Sequence, residues 1–325
     1  MPETAALVPM KRSRPKRIEA AEKFMFSGHQ SFALRIAWLP KSVALLSRGV
    51  DPFEDPKQGT QVLGLGKNMV ESLACWVEFF GVIRSGEEGR EPTEFGRLVL
   101  GPEGFDPYLE NEGTLWLLHW QGTAAATRRL FAWHWLFNLH LESSFTYASA
   151  VQEFQAQSAL LAREMSDVTL RQHLDVFLAT YVASEPRQGS VAEDLLDSPL
   201  SALGLIKESD QSDQGRSKEC VYLVDSREKP TLSDAVFRFA IHDWWNRSHA
   251  NDETVAYREI CVAENSPGRV FRLPERDVHE RLQRLVSTWP KEFDQTESNN
   301  QRLIRRLRAQ ANVNATLRAV YGHSH

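Results

Sequence analysis

The chain has 325 residues, with 38 Lys and Arg against 43 Asp and Glu, a formal net charge of −5. That length allows two or three domains with a sizeable core, and the acidic balance excludes a general coat of nucleic-acid-binding charge, so such contacts must come from local basic patches. Cys75, Cys220 and Cys261 show neither CxxC nor CxxH spacing and read as core thiols rather than a disulfide framework or zinc site, and no apolar run suits a signal core or a bilayer span, so a soluble cytoplasmic protein without membrane contact is expected.

Residues 1–23 place KRSRPKR after two prolines and read as a flexible basic arm. Lys11, Arg12, Arg14, Lys16 and Arg17 either hold a DNA backbone electrostatically or simply solubilise the terminus. FMFSGHQSFALRIAWLPKSVALLSRG follows with helical apolar spacing broken at Pro40, and then DPFEDPKQG as a polar connector.

The next stretch, VLGLGKNMVESLACWVEFFGVI, opens like a phosphate-binding loop. Gln61, however, stands where the distal glycine belongs, and Asn68 follows Lys67 where a magnesium-holding Ser or Thr is needed, so no nucleotide is expected. From Lys67 onward, Val70, Leu73, Trp76, Val77 and Phe80 fall on one helix face. Gly81 stops that helix, Val82-Ile83 begin a strand, SGEEGRE is a hairpin tip, and PTEFGRLVL is expected to return along the first strand. This is the second half of a winged helix, whose groove-entering helix presents its N-terminal residues, here Lys67 and Asn68, to DNA. A helix with a merely solvated first turn is the alternative, and winged modules also bind protein. Residues 24–110 form this N-terminal winged-helix-like domain.

The loop GPEGFDPYLENE carries Glu103, Asp106, Glu110 and Glu112. Residues 111–183 then read as a helical bundle, with an aromatic core between Trp116 and Phe145, His119, His134 and His140 inside it, and the basic pair Arg128 and Arg129. After SEPRQGS, residues 184–325 repeat the winged logic. DLLDSPLSALGLIKES gives a short helix and a strand, SDQSDQGRSK a tip with Arg216 and Lys218 at the wing, and ECVYLVD a return strand. A helix is expected from Ser233 to Trp245, and SPGRVFRLPERDVHERLQRLV reads as a strand leading into a helix. SNNQRLIRRLRAQANVNATLRAV reads as one helix, with Leu303, Leu307 and Leu317 buried and Arg302, Arg305, Arg306, Arg308 and Arg318 outside. That arginine face tracks phosphates, is merely solvated, or contacts a second copy in a homodimer. The expected fold is mainly α, with winged-helix-like modules flanking a central helical bundle.

FSGHQSFALRIAWLPK, LGLGKNMVESLACW and FDPYLENEGTLWLLHW, in that order across residues 26–120, resemble a bacterial family long described only as a domain of unknown function. Its members sit in DNA-phosphorothioation defence gene clusters, and some are similar to the B component of the Ssp system. The resemblance implies a DNA-binding nickase in anti-phage defence, acting on double-stranded DNA beside a cysteine desulfurase, an ATP pyrophosphatase and an ATPase. Gly28, His29, Phe32, Arg35, Trp38, Leu39 and Lys41 match the first motif, and Gly64, Gly66, Lys67, Asn68, Met69 and Val70 match the second. Gln30 and Ser31 stand where the resemblance leads one to expect an acidic residue and Thr after the histidine.

Cutting a phosphodiester needs an in-line water, charge stabilisation at the leaving oxygen, and usually a metal held by carboxylates. No PD-(D/E)xK or HNH spacing is present; in VDSREKP, Glu228 and Lys229 are adjacent, so the Glu-x-Lys element fails. The catalytic candidates are therefore His29, Asp106 and Glu110, with Mg²⁺ or Mn²⁺ as cofactor and no assigned ligand set. Surface acids capping the next helix, and a histidine fixing a tight turn, explain the same residues. The DNA-binding candidates are Arg35, Lys41, Lys67, Asn68, Arg128, Arg129, Arg216, Lys218 and Arg305. Two functions stay open: a metal-dependent nickase, or a non-catalytic winged-helix adaptor that recruits the sulfur-transfer enzymes to DNA.

Overall fold

A computed structural model describes residues 24–35, 37–86, 89–125, 129–160, 164–182, 199–209, 220–298, 300–307 and 312–322. After β1 (Phe24–Met25) come three helices, α1 (Trp38–Leu46), α2 (Pro56–Leu63) and α3 (Lys67–Phe79). Asp55 caps α2 by accepting from the Lys57 amide, Pro56 starts it, and Gly64 ends it in the left-handed conformation at φ 69°. On α3 the expected apolar stripe is buried at Val70, Leu73, Trp76 and Val77, leaving Lys67 and Asn68 exposed.

The hairpin after α3 is shorter than the sequence suggests. Antiparallel β2 (Ile83–Gly86) and β3 (Gly89–Pro92) complete it, and TEFGRLVL forms α4 (Glu94–Leu100) rather than a return strand. Thr93 is the reason: its hydroxyl accepts from the Gly96 amide and caps a helix that buries Phe95, Val99 and Leu100.

The second segment begins with α5 (Glu112–Trp120), which passes into a π-helical turn at Gln121–Ala125. β4 (Arg129–Leu130) pairs in parallel with β1 and leads into α6 (Phe131–His134), extended by a second π turn at Trp135–Leu139. Then come β5 (Ser144–Thr146), α7 (Tyr147–Ser158), α8 (Asp167–Tyr181), a 3₁₀ turn at Pro199–Leu203, β6 (Ile206–Ser209) and β7 (Val221–Val224). The sheet order is β5-β7-β6, so a strand preceding residue 183 pairs with one that follows it. The expected wing tip with Arg216 and Lys218 lies outside the described residues, as does Arg128.

The third segment shares part of this order, a strand followed by helices and then two strands. It runs through α9 (Asp234–Ser248), β8 (Thr254–Ala256), α10 (Tyr257–Val262), α11 (Pro267–Val270), α12 (Glu275–Thr288), β9 (Phe293–Ser298), β10 (Gln301–Arg306) and α13 (Val313–Val320). Its sheet order, β8-β10-β9, again places the last strand between the other two. Two expectations are corrected here. SPGRV is a helical turn, because Ser266 caps it and Pro267 occupies its first position. The final arginine-rich segment is a strand followed by a helix, because Asn300 at φ 64° turns the chain back and Gln301–Arg306 pair with Phe293–Ser298. Arg305 is therefore an exposed strand residue, Ile304 rather than Leu303 is the buried strand position, Leu307 is exposed, and Leu317 is buried on α13.

The fold is mainly α, with about 53% of the described residues in helix and 15% in strand. One hydrophobic cluster runs through all three segments and includes fully buried Trp76, Trp116, Trp120, Trp133, Trp244 and Trp245. The aromatic-rich stretch from Trp116 to Phe145 supplies packing, not an exposed stacking surface. Among the described residues no helix is long and apolar enough to cross a membrane.

Candidate functional site

His29 is buried in the loop that joins β1 to α1. Gly28 (φ 112°) and Gln30 (φ 52°) bend that loop around it, and α3 pins it, with Ser72 Oγ donating to His29 O and Trp76 Nε1 donating to Phe32 O. The His29 ring lies between Trp76, at a centroid distance of 5.9 Å, and His173 of α8, at 5.0 Å. The Ala132 amide donates to His173 Nε2 (3.0 Å), which leaves the His173 proton on Nδ1 to be donated to His29 Nε2 (2.7 Å). His29 then carries its proton on Nδ1 and donates it to Gln30 O (2.8 Å). Both rings are neutral, and burial lowers both pKa values. Every ring nitrogen in the pair is engaged, so His29 has no spare lone pair with which to take a proton from water.

Asp106 is also buried and committed. Its carboxylate accepts from the Glu110 amide (2.8 Å), the Asn111 amide (3.0 Å) and the Thr114 hydroxyl (2.6 Å), closing the turn that precedes α5. Asp106 thus closes the turn ahead of α5 but does not cap the helix, a place taken by Asn111, which accepts from the Gly113 amide; Glu110 is exposed. Among the described residues His29, Asp106 and Glu110 share no hydrogen-bond partner, and they are not joined into a triad.

The basic candidates are dispersed. Arg35 is exposed with its guanidinium carbon 5.8 Å from the Trp38 ring centroid, and the Lys41 ammonium donates to Leu63 O at the end of α2. Lys67 lies 3.9 Å from Glu71, one turn further along the same exposed face, and Asn68 is open to solvent. Arg129 is half-buried on β4, and Arg305 stands on β10 opposite Asp294 and Thr254.

Sequence reasoning missed a cleft of about 1180 Å³ between the base of the β6–β7 hairpin and α12. VDSREKP, set aside on spacing, lies along one wall. The buried Lys229 ammonium donates to Asp225 O (3.0 Å), Asp225 Oδ1 (3.1 Å) and Arg227 O (2.9 Å). Arg227 beside Asp225 holds that carboxyl well below the usual range, while burial pulls the Lys229 ammonium down. On the facing wall, Arg281 donates to Leu232 O (2.7 Å), Lys229 O (2.9 Å) and Asp234 Oδ1 (3.2 Å), and Arg284 donates to Asp234 Oδ2 (2.6 Å). Asp277 is buried with Oδ1 3.1 Å from Arg281 Nε, and its Oδ2 has no hydrogen-bond partner among the described residues. Asp277 and Arg281 are four residues apart in ERDVHERLQR, the one trace of this network that helical spacing could have revealed.

An orphaned carboxylate oxygen at a cleft edged by Lys and Arg suits one ligand chemistry in particular. Mg²⁺ is commonly held by one or two carboxylates while water and phosphate oxygens complete its shell, and the surrounding cations suit a phosphate. Asp277 fits that pattern.

Comparison with known proteins gives a consistent result. The family model described as "Protein of unknown function (DUF4007)" matches residues 26–321. A magnesium ion-bound SspB crystal structure is similar, at 27% identity and a TM-score of 0.77, covering 94% of this chain and 90% of that one. A second SspB crystal structure is similar at 26% identity and a TM-score of 0.76, with the same coverage. No curated protein sequence matches the chain.

Proposed function

Because the chain belongs to the DUF4007 family, we propose that it is the DNA-binding B component of a phosphorothioate-modification and anti-phage defence system, cutting one strand of duplex DNA in the cytoplasm. The likeness to magnesium-bound SspB over 94% of the chain carries this reading. The three segments act as winged-helix modules: a helical cluster followed by a β-hairpin in the first, and an added strand pairing with the last in the other two. In such modules the helix before the hairpin enters the major groove, which assigns α3 with Lys67 and Asn68, α8, and α12 with Arg276 and Arg284 to DNA. The cysteine desulfurase, ATP pyrophosphatase and ATPase of the system are its partners.

In this reading the cleft takes the scissile phosphate. Asp277 holds a divalent cation, which when bound supplies charge neutralisation at the phosphate oxygens. Arg284, Arg227 and Lys207 border the cleft and orient the backbone, while Arg281, tied to both walls, fixes the distance between them. Supercoiled plasmid incubated with the pure chain tests this. Open-circle product with Mg²⁺ or Mn²⁺ and none with EDTA supports it; a mobility shift with intact plasmid refutes nicking.

That second outcome corresponds to a non-catalytic DNA-binding adaptor, which one observation favours. Asp225, Asp234, Glu280 and Asp277 itself, all lining the cleft, are paired with Arg227, Lys229, Arg281, Arg284 and Arg276, so little negative charge is left for a cation cluster.

A further inference from the structure

Within the third segment, Cys261 near the end of α10 faces Glu275 and His279 on α12. Glu275 and His279 are four residues apart, so α12 presents both on one face. The thiol sulfur, one carboxylate oxygen and one imidazole nitrogen all lie within 4.8 Å of one another. These three side chains come from two helices, α10 and α12, that pack directly against each other.

The imidazole nitrogen beside Glu275 in this cluster has no hydrogen-bond partner among the described residues. His279 Nε2 is shielded from water and accepts or donates no hydrogen bond, and its nearest charged neighbour, Glu275 Oε1, is 3.9 Å away, beyond hydrogen-bond reach. The ring is held edge-on by Tyr257, at a centroid distance of 5.4 Å. A shielded, unpaired imidazole nitrogen is costly unless something else satisfies it. The Cys261 thiol beside it is buried, so the sulfur faces the cluster rather than solvent.

We propose that Cys261, Glu275 and His279 form a site for a thiophilic divalent cation of the Zn²⁺ class, which fastens α10 to α12. Thiolate, imidazole and carboxylate are borderline-to-soft ligands that suit Zn²⁺ or Co²⁺ and disfavour the all-oxygen preference of Mg²⁺. Three protein ligands leave a fourth tetrahedral position for water. On binding, the Sγ–H bond breaks, the proton leaves to solvent and the sulfur lone pair is given to the metal. This site is separate from the Asp277 cleft and stands whether or not the chain nicks DNA.

The full chain, stripped with a chelator and titrated with Co²⁺, tests the proposal. One equivalent is expected to produce a near-ultraviolet thiolate-to-cobalt charge-transfer band, which Zn²⁺ then abolishes by displacement. Cys261→Ser removes the band, Cys220→Ser keeps it, and Glu275→Gln, a change at an exposed side chain, weakens Co²⁺ binding at least about tenfold while leaving the apo melting temperature unchanged. Absence of the band in the wild type overturns the site, as does a band that survives Cys261→Ser or vanishes in Cys220→Ser. Glu275→Gln keeps the test decisive if Cys261→Ser fails to fold, since unchanged affinity in that variant also overturns it.

Discussion

His173 Nδ1 donates a hydrogen bond of 2.7 Å to His29 Nε2 across 144 residues of sequence. The contact ties the loop after β1 to α8, and it exists only while both imidazoles are neutral.

Acid should therefore loosen the fold well before carboxylates titrate. Burial lowers the pKa of His29, His173, His140 and His242, and brings His119 and His134 down to about 4. The unfolded chain takes up protons at these positions from about pH 6.5 downward, whereas the folded chain resists them. Stability is then fully present above that value and declines as the pH falls toward the folded values, with His119 alone accounting for on the order of 3 kcal/mol. Urea midpoints at pH 7.5, 6 and 5 should fall in that order. A midpoint that holds constant down to pH 5 would contradict the neutral-pair assignment.

The same pair makes a double-mutant cycle informative. His29→Ala leaves the His173 Nδ1–H donor unpaired in the core, and should cost about 2–4 kcal/mol through the lost bond and the cavity. His173→Ala should cost a comparable amount, and the double variant clearly less than the sum. If His29 were instead a general base, its loss would abolish nicking while leaving stability nearly intact.

DNA affinity should depend on the exposed start of α3. Lys67→Ala is expected to weaken binding about equally across sequences and to reduce the salt slope by about one unit, as one phosphate contact is lost. Asn68→Ala should flatten sequence preference by about 1–3 kcal/mol if its amide reads an adenine edge. Fluorescence anisotropy on duplexes of differing sequence, at several salt concentrations, separates the two. Tight ATP binding abolished by Lys67→Ala would mean that the phosphate met there belongs to a nucleotide.

Asp277→Asn tests the cleft. The substitution keeps the side-chain shape and leaves Arg281 bonded to Leu232, Lys229 and Asp234. Metal-dependent open-circle product should drop at least about a hundredfold, about 2.7 kcal/mol in barrier, with DNA affinity retained. Normal nicking by a folded Asp277→Asn protein would remove Asp277 from any cation role.

Which of these features were legible beforehand follows from how far apart their parts lie in sequence. The α3 stripe of Val70, Leu73, Trp76 and Val77 is local and regular, and it reads directly. TEFGRLVL is apolar enough to pass for a strand, and only the capping bond from Gly96 to Thr93 decides for a helix. QRLIRRL satisfies both helical and alternating patterns, so its pairing with Phe293–Ser298 settles the matter. The site was less accessible. His29 drew notice as a motif residue, but its partner lies on another helix far along the chain. Glu275 and His279 share a helix face that spacing could find, whereas Cys261 reaches them from α10, where no short motif records it. Charge type alone also misled: Asp106 resembles a ligand until its three internal hydrogen bonds are counted.

The β5-β7-β6 order carries a consequence for synthesis on the ribosome. β5 pairs through Phe145 with Tyr222, whose rings stack at 5.2 Å, yet Tyr222 emerges from the tunnel long after β5 does. At about 5–20 residues per second, the nascent chain spends several seconds with the β5 edge unpaired. During that interval the middle segment is open to domain-swapped pairing with a neighbouring nascent copy, so slower translation or closely spaced polysomes should raise the fraction of misassembled chain.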